Sequence, residues 1–201
     1  MTIADVDSAG NVRPRAPGPL AAALAAIEES AALERAAGVL ARATAPLRRP
    51  GPARALRGEW FGHALHPLLT DFPLGTWMSA SYIDLLGGRR GRPAATVLVG
   101  IGVATAVPTV ATGLAEWHAT SGRPRRVGVA HAAINGGALM LYAGSLAARL
   151  AGRHGAGVAL ALAGGVAATS GGYLGGHLSL VHRVGTVDER LRRPEGGGAS
   201  A

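Results

Sequence analysis

Four apolar runs of spanning length occupy the second two-thirds of the chain, over residues 65–86, 94–115, 127–148 and 156–181. The run at 94–115 holds no charged residue, and as a helix of roughly 22 residues it rises about 33 Å, enough to cross a ~30 Å hydrocarbon core. The first run opens on His66-Pro67, where proline loses nothing because the first N–H groups of a helix are unpaired anyway. It carries two acids, Asp71 and Asp84. The third run contains His131 and Asn135 without a formal charge. The fourth contains His177, and its Gly171/Gly175 and Gly172/Gly176 pairs have the small-xxx-small spacing that lets helix backbones approach closely. Connections near 87–93, 116–126 and 149–155 are short enough to force antiparallel neighbours. The pattern predicts an all-α fold, a four-helix transmembrane bundle running up-down-up-down.

Ahead of these runs, residues 20–45 are rich in Ala and Leu, with Glu28, Glu29, Glu34 and Arg35 interrupting, which predicts an amphipathic helix on the membrane surface. Pro46, Pro50 and Pro52 then break the pattern, leaving a basic linker with Arg48, Arg49, Arg54 and Arg57. The polar residues 1–19 and 185–201 have too little apolar surface to offset the entropy of ordering and are expected as tails. The domain plan is therefore a tail (1–19), an amphipathic helix with basic linker (20–57), a four-span membrane domain (58–184) and a second tail (185–201).

Composition supports lipid as the solvent: 48% of residues are hydrophobic and 16% charged, with mean hydropathy +0.24. The net charge of +8 comes from 20 basic residues, all arginine. Arg48-Arg49 and Arg123-Pro-Arg125-Arg126 flank apolar runs and lack interleaved aromatics, so they read as membrane topology and not as a nucleic-acid footprint. With no cysteine, disulfides, thiolate zinc sites and cysteine-held iron–sulfur clusters are excluded, and a metal would have to use His, carboxylate or Met. The acidic start, with Asp5 and Asp7, does not read as a cleavable signal peptide. Arginines near the spans number twelve on one side and five on the other, which predicts both termini in the cytoplasm.

Tracing the antiparallel order puts His63, His66, Asp71, Glu116, His118, His131, His177 and His182 on that same arginine-rich side, leaving only His154 of the seven histidines on the other. His131 and Asn135 share one helical stripe, and Ser170, Tyr173 and His177 another, both expected to face the bundle interior. Polar groups in a membrane helix are costly, so such residues are functional candidates. Interhelical hydrogen bonding is the plainer role for His131 and His177, interfacial placement for His63 and His118, and helix capping for His66. Asp84 is expected to snorkel beside Arg89 and Arg90, Trp60 and Trp117 to act as interfacial anchors, and Trp77 to pack in the core.

Facing histidines on a helical bundle suit axial ligation of haem b, with His131 and His177 the preferred pair and His66 the alternate. A single metal ion held by a subset of His63, His66, Asp71, Glu116, His131 and His177 uses the same groups, and so does proton shuttling beside a quinone. Spacing alone leaves these open, with no bound cofactor as a further outcome. The resulting expectation is a haem- or metal-binding electron-transfer subunit without catalytic residues of its own. Its rival is a noncatalytic membrane scaffold or small-solute permease.

The stretch from Arg57 to Gly75, RGEWFGHALHPLLTDFPLG, resembles the signature of a bacterial membrane family known as domain of unknown function 2231. Gly113-Leu114-Ala115-Glu116-Trp117, Val129-Ala130-His131-Ala132-Ala133-Ile134-Asn135 and Gly171-Gly172-Tyr173-Leu174-Gly175-Gly176-His177-Leu178 are similar to its later spans. The resemblance covers roughly residues 20–184, with Ala64 where many relatives carry proline. It implies a bacterial inner-membrane location. Relatives are often fused to a Rieske domain, which implies a redox neighbourhood and a Rieske-type or other redox protein as partner, alongside lipid and a second copy of the chain. The family itself implies no established activity.

Overall fold

The computed structural model describes residues 18–185, together with the backbone of 5–6 and 12–13, where Asp5–Val6 and Val12–Arg13 pair antiparallel. Nearly all of both expected tails lies outside the described residues. Seven α-helices follow in order: α1 (Pro19–Glu29), α2 (Ala31–Ala43), α3 (Pro50–Leu56), α4 (Leu65–Leu86), α5 (Gly88–Trp117), α6 (Gly122–Leu150) and α7 (His154–Leu180).

The expected single helix over 20–45 is two helices. Ser30 adopts an extended backbone at the junction, and its hydroxyl accepts from the Leu33 N–H at 3.3 Å, so it caps α2 and turns the chain after Glu29. The proline-rich linker also folds, into a 3-10 turn at Ala45–Arg48 and then α3; prolines at the first positions of each suit a helix start.

Among the described residues three helices, α5, α6 and α7, are long and apolar enough to cross a membrane. At 30 and 29 residues α5 and α6 outrun the apolar segments from which they were read, because their arginine- and glycine-bearing ends stay helical, while α7, at 27 residues, lies within two residues of its expected bounds. The connection between α4 and α5 is Gly87 alone, so Arg89, Arg90 and Arg92 begin α5 and form no loop. Helix α4 has spanning length, 22 residues, but its acids and its Ser and Thr lower its apolarity below the other three.

Helix α4 packs on α5 and α6 packs on α7 as two hairpins, which join through α5 against α6 and α4 against α7. The hairpins repeat one another. Pro73, Trp77 and Ala80, buried on α4, have buried counterparts 65 residues later on α6 in Ala138, Tyr142 and Ser145. Ala95, Val99, Gly102, Ala106, Thr109 and Thr112 of α5 correspond 62 residues later to Gly157, Ala161, Gly164, Ala168, Gly171 and Leu174, all buried on α7. Such matching burial in both helices is the mark of a pseudo-twofold arrangement of two αα-hairpins. The seams are mostly Gly and Ala, the composition expected where lipid offers no hydrophobic drive and association depends on close van der Waals contact.

Corresponding residues meet on the pseudo-axis. Trp77 and Tyr142 stack with centroids 3.9 Å apart and planes 6° from parallel. Each ring lies against a glycine of its own hairpin partner: a Cβ on Gly102 would fall 2.2 Å from Trp77 Nε1, and one on Gly164 would fall 3.0 Å from the Tyr142 ring. One further step along, Asp84 and Arg149 form a bidentate ion pair whose side chains are 1% and 0% exposed. Arg149 also donates to Ser145 Oγ at 3.1 Å, and His154 Nε2 lies 3.4 Å from the Asp84 carboxylate. The expectation of Asp84 snorkelling beside Arg89 and Arg90 is thus corrected: Arg149, in the last turn of α6, reaches across the axis and keeps the acid buried.

Candidate functional site

At the opposite end of the axis, where α4 and α6 begin and α5 and α7 end, the corresponding pair is His66 and His131. Their rings stand edge to face with centroids 6.2 Å apart. His66 Nδ1 donates to the Thr109 carbonyl of α5 at 2.9 Å, and His131 Nδ1 donates to the Gly171 carbonyl of α7 at 2.9 Å. Thr109 and Gly171 are themselves counterparts. One turn on in each case is a glycine, and a Cβ there would fall 2.7 Å from His66 Cε1 at Gly113 or 3.0 Å from His131 Cε1 at Gly175. Each imidazole is therefore laid in a glycine notch of its partner helix and fixed by one backbone carbonyl.

A carbonyl can only accept, so both rings carry their proton on Nδ1 when neutral, which leaves Nε2 as the lone-pair nitrogen. Metal-binding histidines are commonly oriented in this way, by an Nδ1–H held to a backbone carbonyl. Asn135 Nδ2 donates to the His131 carbonyl at 2.9 Å and stands 3.3 Å and 3.4 Å from the two ring nitrogens. Its short bond is the one to the His131 carbonyl, and both ring contacts are long.

The two histidines line a cavity of about 430 Å³, floored by Trp77, Ala106, Leu139 and Ala168 and rimmed by Thr120, Pro124 and Val184. Thr70, Thr109, Asn135 and Glu116 give it its polar surface. Glu116 Oε1 is buried without a hydrogen-bond partner among the described residues. Trp117 is 6% exposed and also lines the wall, with its indole N–H donating to the Arg125 carbonyl at 2.9 Å and the Arg125 guanidinium 4.3 Å from its ring centre. The expected interfacial anchor is thus buried, because Gly128 leaves room for the indole where a Cβ would fall 2.4 Å from it. Trp60 is 73% exposed.

The remaining histidines separate into groups. His177 is not on the cavity wall; it joins His182, their rings 5.0 Å apart, and both Nε2 atoms bond to Glu28 Oε1, at 2.9 Å and 2.8 Å. These are the one group of three His or carboxylate donors within metal-sharing reach among the described residues. His63 is exposed beside Phe61, and Asp71 faces outward on α4. His118 Nε2 bonds Thr44 Oγ1 at 2.8 Å, tying the end of α5 to the 3-10 turn. Sequence reasoning missed Glu28, which is brought in by the corner at Ser30, and it missed the His66–His131 pairing. The signal for that pairing was present: His66 and His131, Leu74 and Leu139, Gly87 and Gly152 recur at one spacing, and Leu98 and Leu160, Gly102 and Gly164, Ala106 and Ala168, Gly113 and Gly175 at another.

The family model DUF2231, described as a predicted membrane protein, matches residues 62–188. None of the curated proteins and none of the solved structures matches the chain.

Proposed function

The chain belongs to the DUF2231 family of membrane proteins, and from that premise we propose that it is a four-span membrane subunit holding a metal-centred redox group between His66 and His131. The observation that carries the proposal is the matched pair itself: two imidazoles on the pseudo-axis, each with Nδ1–H bound to a backbone carbonyl and Nε2 left as a ligand, lining one cavity.

A single ion fits the donor set as two ligands with open positions, and Glu116 stands as a carboxylate in the same cavity. Haem b fits the two axial positions, but no arginine lines the described cavity wall, so its propionates would have to reach the rim. Support for α4 as the fourth span is its length and its repetition of the α6 burial pattern. The arginine excess favours a cavity facing the cytoplasm of a bacterial inner membrane, where a soluble redox protein, Rieske-type or other, is the partner class.

The test is gentle detergent extraction followed by absorbance spectroscopy in oxidised and reduced states and by metal analysis. Haem ligation gives a Soret band with sharp reduced bands, and an ion gives one metal per chain without them. The haem bands, or one equivalent of metal, should be lost in His66→Ala. A wild-type protein with neither leaves the histidines as interhelical hydrogen-bond donors in a scaffold.

A further inference from the structure

We propose that Glu28, His177 and His182 form a second, separate site that binds a divalent first-row transition-metal ion and clamps the amino-terminal helix α1 to the end of α7. Their three donor atoms lie within 4.8 Å of one another, and one carboxylate oxygen already meets both imidazole Nε2 atoms, at 2.9 Å and 2.8 Å. The side chains are 15–16% exposed, so the cluster is partly shielded but reachable by an ion from solution.

Three independent features of the chain converge to build it. The break at Ser30 ends α1 so that Glu28 sits in its last turn, and Arg126 of α6 holds that turn through the Glu28 carbonyl and, at 2.9 Å, through Glu34. His177 lies in the last turn of α7. His182 lies two residues past the end of α7, and its backbone N–H donates to the His177 carbonyl at 3.3 Å, which brings the two rings together. No residue of α1 is buried, so apolar packing does little to hold this helix.

Two imidazoles and one carboxylate are a ligand set for zinc, iron, cobalt or manganese, and they leave at least one coordination position open. In the metal-free state the Nε2–H groups of both histidines donate to Glu28. On binding, each ring would carry its proton on Nδ1 instead and present the Nε2 lone pair, so the ion replaces two hydrogen bonds with three coordinate bonds.

The experiment uses the full chain in detergent, stripped with a chelator and titrated with Co(II), reading visible d–d absorption, bound-metal stoichiometry and far-ultraviolet circular dichroism. Beyond any ion held between His66 and His131, one Co(II) per chain, displaced by Zn(II), is expected. His182→Gln and Glu28→Gln should each weaken binding tenfold or more with the helical signal unchanged. His66→Gln and His131→Gln should leave it intact, which separates this site from the axial one. His182 lies outside the helices, so its variant keeps the test open if Glu28→Gln fails to fold. Folded wild-type protein that takes up no Co(II) at tens of micromolar overturns the proposal. So does a Co(II) stoichiometry that loss of His182 leaves unchanged, or a chain that binds no Co(II) once His66 is replaced.

Discussion

The two ends of the pseudo-axis occupy equivalent places in the fold and have opposite chemistry. At one end the duplicated position holds unlike residues, Asp84 and Arg149, which neutralise each other and close the helices together. At the other it holds the same residue twice, His66 and His131, which cannot neutralise one another and which enclose a cavity. Complementary charges at a symmetric junction make a lock. Two identical neutral bases leave two lone pairs that neither can use for the other, which is the basis of the site proposed above. The stacked Trp77 and Tyr142 lie between, and Trp77 lines the cavity.

The largest effect should come from breaking the lock. Asp84→Ala leaves Arg149 buried without its counter-charge and should cost about 3–5 kcal/mol, whereas Asp84→Leu with Arg149→Met together should restore near wild-type stability. Thermal unfolding in detergent measures both, and neither change should alter ligand binding at the histidine end. Equal loss from the double and single variants would show that the pair's hydrogen bonds, including those to Ser145, matter more than its charges.

A smaller effect is expected at the histidine notches. Gly113→Ala places a methyl against the His66 ring and should cost about 1–3 kcal/mol as overpacking. Because the clash displaces the imidazole, any bound metal should be lost along with it. Gly175→Ala, with 3.0 Å in place of 2.7 Å to fill, should cost less. Gly136→Ala lines the same cavity but meets nothing within 4 Å, and should be neutral or slightly stabilising through better helix propensity. Unfolding temperature and metal content of the three variants, compared side by side, check the order.

The smallest effect concerns His118, which lies at the end of α5 outside the axis. Burial first, and then the nearby Arg48 and Arg125, hold its protonated form below the ordinary histidine range, with the Thr44 carbonyl partly offsetting them. The unfolded chain therefore takes up the proton before the folded one does. Docking of the 3-10 turn should be unaffected above about pH 6.5 and should weaken as the pH falls below it. Hydrogen exchange at residues 45–48, followed from pH 8 to pH 5, should show this loosening in wild type and a flatter response in His118→Gln.

What the sequence disclosed tracks with what was locally encoded. The bounds of α4 were read correctly, because Leu65 opens the apolar run just before Pro67, which needs no N–H partner, and because Gly87 ends it. The longer α5 and α6 were read short, since arginine and glycine ended the apolar pattern without ending the helix, whereas α7 was read to within two residues at either end. The side of the bundle on which the histidines gather followed from topology alone. Which histidines meet did not, because it depends on notches made by the absence of side chains at Gly113 and Gly175 and on a repeat with few identities. Glu28 and His182 were harder still, since one depends on a corner at Ser30 and the other on a turn past the end of α7, neither of which leaves a hydrophobic period.

The central claim is that His66 and His131 are equivalent ligands of one group. It is tested most directly by measuring bound metal or haem per chain in His66→Ala and His131→Ala beside wild type and His177→Ala. The account predicts stoichiometric occupancy in wild type, its loss to the same extent in the two axial variants, and retention of the axial absorbance in His177→Ala. Retention of full occupancy by either axial variant, or loss of that absorbance on changing His177, would contradict it.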